Sequence, residues 1–378
     1  MSGPLAGMRV IELAGIGPAP MCAMLLADLG ATVLRIDRPS PPERGVAQPL
    51  GTQVLLRNRQ TLLLDLKVPA ARDLVLRLVD DADALVEGFR PGVMERLGIG
   101  PRECLVRNRR LVYGRVTGWG QDGPLAQAAG HDLNYIALAG ALHGIGRADG
   151  PPSVPLNLIG DFGGGALYLA FGVLAAILHA RQTGRGQVVD AAMVDGVASL
   201  LAMAYGMRAA GVTTDARGTN LLDGGAYFYD TYQCAEGEWI TIAALERRFH
   251  DELLQRIGLD AADFPAQSDR ARWPEARSQL AALFATRTRA AWCKLLEATD
   301  ACFAPVLSLS EAAEHPHLRA RGTHLTIDGV LQPAPAPRFS ATPPDAPRAP
   351  QPPDADAALA GWLPAMDITM LRASGVIA

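Results

Sequence analysis

Three things are missing from this 378-residue chain: paired cysteines, a dense block of basic residues and a leader-like N-terminus. Its five cysteines (Cys22, Cys104, Cys234, Cys293 and Cys302) are scattered and form no CxxC pair. Neither a disulfide framework nor a zinc site is expected from them; a reducing, cytoplasmic setting is. Net charge is −4 with no Lys/Arg cluster, so the electrostatic footprint of a nucleic-acid binder is lacking. The opening residues, MSGPLAGMRVIELAG, have no basic region followed by an apolar stretch and a cleavage site, and no signal peptide is expected. The longest uncharged apolar run, ALYLAFGVLAAIL at 166–178, is shorter than the ~20 residues that span a bilayer. It reads as a buried helix.

What is present fits a large globular protein: 49 % hydrophobic and 20 % charged residues are enough for a sizeable core and two domains. Short β-branched runs at 8–14, 31–37, 61–67, 83–89 and 110–118 alternate with helical stretches, the pattern of a parallel sheet covered by helices. The first turn, GIGPAP, begins like a dinucleotide fingerprint. Pro20 stands where the third glycine belongs, and Asp37 is followed directly by Arg38; NAD is not expected, while another ligand at the same turn is allowed. A strand at QVVDAA, an apolar helix over 192–208, an alternating strand in EGEWITIAALE and helical sequence to about residue 300 follow. Residues 333–353 hold nine prolines and should run as an extended connector, before a last helical patch at DITMLRASGVIA.

Three polar groups stand out. His131 starts an apolar helical stretch in AGHDLNYIALAGAL, Asp161 precedes a triple glycine in NLIGDFGGG, and Glu246 follows the strand ITIAAL. Each has a plain reading: a core or cap histidine with Asp132 as N-cap, an N-cap aspartate, and a first-turn acid favoured by the helix dipole. The glycines weigh against it for Asp161, because each costs a helix roughly 1 kcal/mol. Glycines permit close approach of a backbone or ligand, and free N–H groups at a helix start hold developing negative charge.

GHDLNY, NLIGDFGGG and AALE, in this order, with PLAGMRVIELAGIGPAPMCAMLLADLGATVLRIDRP, EGFRPGVMERLGIGP and PAPRFSATP, resemble α-methylacyl-CoA racemases, a branch of the family III CoA-transferase superfamily. The resemblance implies an α/β fold: a Rossmann-like large domain with a parallel sheet, plus a smaller α+β domain, in an interlocked-ring homodimer. The large CoA-binding domain would take residues 1–200, the small domain 220–325, and the connector and return to the large domain 326–378. It implies that His131 and Asp161 are the two proton-transfer groups, that Glu246 orients the histidine, and that Asn157 and Tyr135 neighbour the pair. Ile16, Arg38, Leu64, Lys67, Phe89 and Arg96 match positions that hold CoA. The substrate would be an acyl-CoA thioester, with no cofactor beyond its CoA moiety and no metal.

Inverting a carbon beside a thioester carbonyl needs two groups flanking a planar enolate and exchanging acid and base roles. The rival within the superfamily is CoA transfer between carboxylic acids, in which Asp161 attacks the thioester and forms an acyl-enzyme. A CoA-binding protein without turnover is the third reading. Tyr227, where racemases usually have proline, and the short segment NRQTLLLDLK depart from the family pattern.

Overall fold

The computed structural model describes residues 2–40 and 48–377. Two compact units divide it: residues 1–139, 156–200 and 322–378 form one, and residues 140–155 with 201–321 form the other.

The first unit begins β1 (Arg9–Leu13), α1 (Pro18–Asp28), β2 (Thr32–Asp37), β3 (Gln60–Leu63), α2 (Pro69–Val79), β4 (Ala84–Glu87), α3 (Val93–Arg96), α4 (Pro101–Arg107) and β5 (Val112–Thr117). It continues with α5 (Asp132–Leu138), a π-helix (Leu158–Leu167), α6 (Tyr168–Thr183), β6 (Val188–Ala192) and α7 (Met193–Leu200). The six strands pair in parallel in the order β3-β2-β1-β4-β5-β6. This is the doubly wound order, in which connections leave β1 for opposite edges and open a crevice at the carboxyl ends of β1 and β4.

Alternate strand residues feed two cores. Ile11, Leu34, Leu85 and Tyr113 face one, and Val10, Val33, Val86 and Val112 the other, so both faces are apolar and the strands read as continuous β-branched runs. The π-helix and α6 together run from Leu158 to Thr183, 26 residues, long and apolar enough by length and composition to cross a membrane. That is twice the span of the uncharged run, because the glycine-rich segment joins it. Leu169, Val173 and Ile177 are buried with the sheet's second core.

The second unit contains α8 (Ala202–Ala209), β7 (Tyr229–Gln233), β8 (Trp239–Ala243), α9 (Arg247–Ile257), α10 (Trp273–Phe284), α11 (Arg289–Leu296), β9 (Phe303–Pro305), α12 (Leu309–Glu314) and α13 (Pro316–Arg321). Its three strands form an antiparallel sheet, β7-β8-β9. The apolar stretch 192–208 expected as a single helix is therefore two, α7 and α8, separated at Leu201. Tyr227 is fully buried; its hydroxyl donates to the Pro265 carbonyl at 2.7 Å and meets His250 Nε2 at 2.9 Å.

The chain returns to the first unit with the hairpin β10 (His324–Ile327) and β11 (Val330–Pro333), then α14 (Ala355–Leu359) and α15 (Ala365–Ala373). Residues 334–353 form neither helix nor strand. Arg57, 1 % exposed, ties this return to the end of α1: it bonds Asp28 at 2.5 Å, Gln332 at 2.9 Å and the Pro333 carbonyl at 2.7 Å. Leu359, Trp362 and Ile368 complete the first core.

Candidate active site

The site lies where the doubly wound topology places ligands. Ile16 to Pro18 follow β1, Gly88 to Pro91 follow β4, and Thr117 ends β5 with Gly118 and Trp119 after it; all line one cavity of about 330 Å³. His131, Tyr135 and Asp161 line the same cavity. The imidazole and the carboxyl group, thirty positions apart in the chain, thus share one space.

His131 is the N-cap of α5 and is exposed. Its backbone N–H donates to Asn134 Oδ1 at 3.0 Å, which satisfies the cap from within the first turn. Asp132, expected as the cap, is instead the first helical residue, because the histidine already has the extended backbone a cap requires. Tyr135 fixes the approach of the preceding loop. Its hydroxyl donates to the Gly130 carbonyl, and its ring meets Trp119 edge-on at 4.7 Å. A Cβ at Gly118 would fall 2.0 Å from the Tyr135 ring, so glycine is required there.

Asp161 does not cap a helix. Asn157 holds the cap position and Asp161 lies inside the π-helix, four residues further on. Asn157 Nδ2 donates to Asp161 Oδ2 at 3.1 Å, so these two come together as expected. The triple glycine also has a different task from an anion cradle. Gly163 to Gly165 lie within the π-helix, where i→i−5 bonds occupy backbone N–H groups. Their lack of side chains serves packing: a Cβ at Gly164 would stand 2.8 Å from Val197, and one at Gly165 2.9 Å from both Met193 and Pro18.

Burial pushes the Asp161 carboxyl above the usual carboxylate range; the Asn157 amide pulls it down, the Asp132 charge adds to the rise, and His131 lowers it. Burial likewise raises the Tyr135 phenol, with the Asp161 charge adding to it. A carboxyl that holds its proton more tightly than usual, beside an imidazole, suits acid–base exchange.

A second cavity, about 540 Å³, opens beside the first, and Phe89 lines both. Arg38, Leu64 and Lys67 line it with Phe89, so four of the six residues matched to CoA gather there. Ile16 lines the first cavity instead. Arg96 lines neither; it lies on α3 between Val93 and Leu97, which line the second, with its guanidinium turned back toward Gly92. Glu246 is in the second unit, as the N-cap of α9.

Several residues of the site escaped the sequence reading. Gly17 has φ +66°, and a Cβ there would lie 2.8 Å from Asp161 Oδ2. The glycine of GIGPAP thus makes room for a carboxylate, and its signal was present but belonged to a different motif. Asp132 accepts the backbone N–H of Asp161, and Arg90 lines the cavity. Trp119, also in the wall, carries a buried Nε1 without a hydrogen-bond partner among the described residues.

A family model described as CoA-transferase family III matches residues 5–357. α-Methylacyl-CoA racemases of mouse and human are 43 % and 42 % identical over 340 residues, covering 90 % of this chain and 87 % of theirs. More distant relatives include CoA-transferases. Among solved structures, a CAIB/BAIF family protein from Brucella suis superposes with a TM-score of 0.79 at 25 % identity, covering 96 % of this chain and 99 % of that one.

Proposed function

We propose, for a chain that belongs to the CoA-transferase family III, that it inverts the α-carbon of 2-methylacyl-CoA thioesters by two-base proton transfer. The observation that carries this reading is the shared cavity: His131 and Asp161 line one space, and a second space with Arg38 and Lys67 adjoins it through Phe89. Basic side chains suit the phosphates of CoA, and Leu64 and Phe89 suit its apolar parts. The thioester then sits where one group removes the α-proton, leaving an enolate, and the other returns a proton to the opposite face. For either direction, one of the pair starts neutral or ionised as base and the other protonated as acid. No cofactor is needed beyond the CoA of the substrate.

Glu246 joins the site in this reading from the second unit of a partner subunit, in a homodimer, and orients His131. Exposed apolar side chains on the first unit favour such a partner: Leu156, Leu158, Leu167 and Phe171 are all more than half exposed, Phe171 at 74 %. Apolar surface of this kind marks interaction sites. The enzyme would work in the cytoplasm, on branched acyl chains of lipid metabolism.

The test is incubation of the protein with a single-epimer 2-methylacyl-CoA in D₂O. Deuterium at the α-carbon with loss of configuration is expected. Transfer that requires a second carboxylic acid, with hydroxylamine trapping at Asp161, would establish the acyl-enzyme of a CoA-transferase instead.

A further inference from the structure

Asp132 joins the two segments that carry His131 and Asp161. It is 5 % exposed, and its Oδ2 accepts the backbone N–H of Asp161 at 2.7 Å. Its other oxygen, Oδ1, is buried with no hydrogen-bond partner among the described residues. Asp161 is the fourth residue of the π-helix, in the turn whose N–H groups have no acceptor inside the helix. Asp132 supplies that acceptor from α5, the helix that His131 caps. Gly160 makes the reach possible, since a Cβ there would lie 2.7 Å from Asp132 Oδ2.

We propose that Asp132 is a positioning residue for the reaction, clamping the backbone of Asp161 to the helix that carries His131. The assignment rests on the racemase reading above. A single carboxylate then sets the spacing of the two proton-transfer groups, because it is covalently adjacent to one and hydrogen-bonded to the main chain of the other. The same group acts through its charge. Facing the Asp161 carboxyl are Asp132 and Tyr135 from α5, His131 at its cap and Asn157 at the start of the π-helix, while Arg90 after β4 lines the same cavity. Asp132 is the carboxylate among them. Its removal therefore lowers the Asp161 pKa.

Two variants separate spacing from charge. Asp132→Asn keeps an oxygen that accepts the Asp161 N–H but removes the charge; Asp132→Ala removes both. Racemisation of a 2-methylacyl-CoA is measured against pH for wild type and both variants, with Tm as the check on folding. Asp132→Ala is expected to lose kcat by roughly 10²-fold, the effect of displacing a reacting group by about 1 Å, with KM changed by less than about 3-fold. Asp132→Asn is expected to recover most of that rate, with the limb of the pH profile governed by Asp161 moved to lower pH. Wild-type turnover in both variants would overturn the proposal, as would an Asn variant with reduced rate and an unmoved limb. Should Asp132→Ala fail to fold, the limb of Asp132→Asn decides. A wild-type protein that exchanges no α-proton would instead refute the racemase reading, a result visible without either variant.

Discussion

Two carboxylates in the first unit, one fully buried and one half-buried, are held in opposite ways. Glu12, on β1, is fully buried and surrounded by cations: Arg59 Nε lies 3.1 Å and Arg35 Nε 3.9 Å from its carboxylate oxygens. Burial pushes its carboxyl up, and Arg59 and Arg35 pull it back; burial in turn pushes Arg59 down. Asp161 is raised by burial and by a second carboxylate, Asp132, and only the Asn157 amide and the exposed His131, neither a built-in permanent cation, offset them. A charge that serves the fold has its counterions built in. A charge that serves chemistry is left unbalanced, so that a proton is exchanged at little cost.

The comparison breaks most visibly in activity. His131→Ala and Asp161→Asn are each expected to lower racemisation by roughly 10²–10⁴-fold while leaving the fold intact, measured by α-proton exchange and circular dichroism on the same preparations. Glu12→Gln should do the reverse. It leaves Arg59 buried without its counterion, which costs about 3–5 kcal/mol, read as a fall in the denaturation midpoint. A Glu12→Gln protein as stable as wild type would mean that the cluster beneath the sheet is neutral, and the contrast with Asp161 would disappear.

A smaller effect is expected at Gly17, which borders the Asp161 carboxylate. Gly17→Ala forces a side chain onto a backbone with φ +66°, at a cost of about 1–3 kcal/mol, and pushes the carboxylate out of line. A kcat loss between roughly tenfold and 10²-fold is expected, with thioester KM nearly unchanged. A change in KM alone would place Gly17 at the CoA side of the cavity.

Much of this was legible in the sequence for physical reasons. Parallel strands buried on both faces leave an unbroken β-branched signal, and all five early runs became strands of the sheet. His131, Tyr135, Asn157 and Asp161 were legible through their motifs; the structure brings His131, Tyr135 and Asp161 around one cavity and hydrogen-bonds Asn157 to Asp161. What the sequence hid is tertiary or conformational. Nothing in NLIGDFGGG distinguishes an α-helical N-cap from the interior of a π-helix, since the difference is one residue of hydrogen-bond register. Gly17 and Asp132 were read by local rules, as a nucleotide turn and a cap, although their partners lie 144 and 29 positions away at Asp161. The α7–α8 break at Leu201 interrupts a continuous apolar pattern, which periodicity alone does not show.

The finest test uses stability against pH. In the folded chain the Asp161 carboxyl titrates above its ordinary value of 3.8. As pH rises from that value through the folded one, the native state keeps a proton that the unfolded chain has lost, and linkage makes stability fall across the window. Above that window the ionised Asp161 therefore weakens the fold, and Asp161→Asn removes the penalty. Melting temperatures of wild type and variant, taken between about pH 4 and pH 8, should differ little at the acid end and separate as pH rises, the variant melting higher by a small margin because the group is partly solvated. A wild type that gains on the variant with rising pH would show that Asp161 finds a counterion in the folded state, as Glu12 does. Its unbalanced charge could then no longer explain its readiness to exchange a proton.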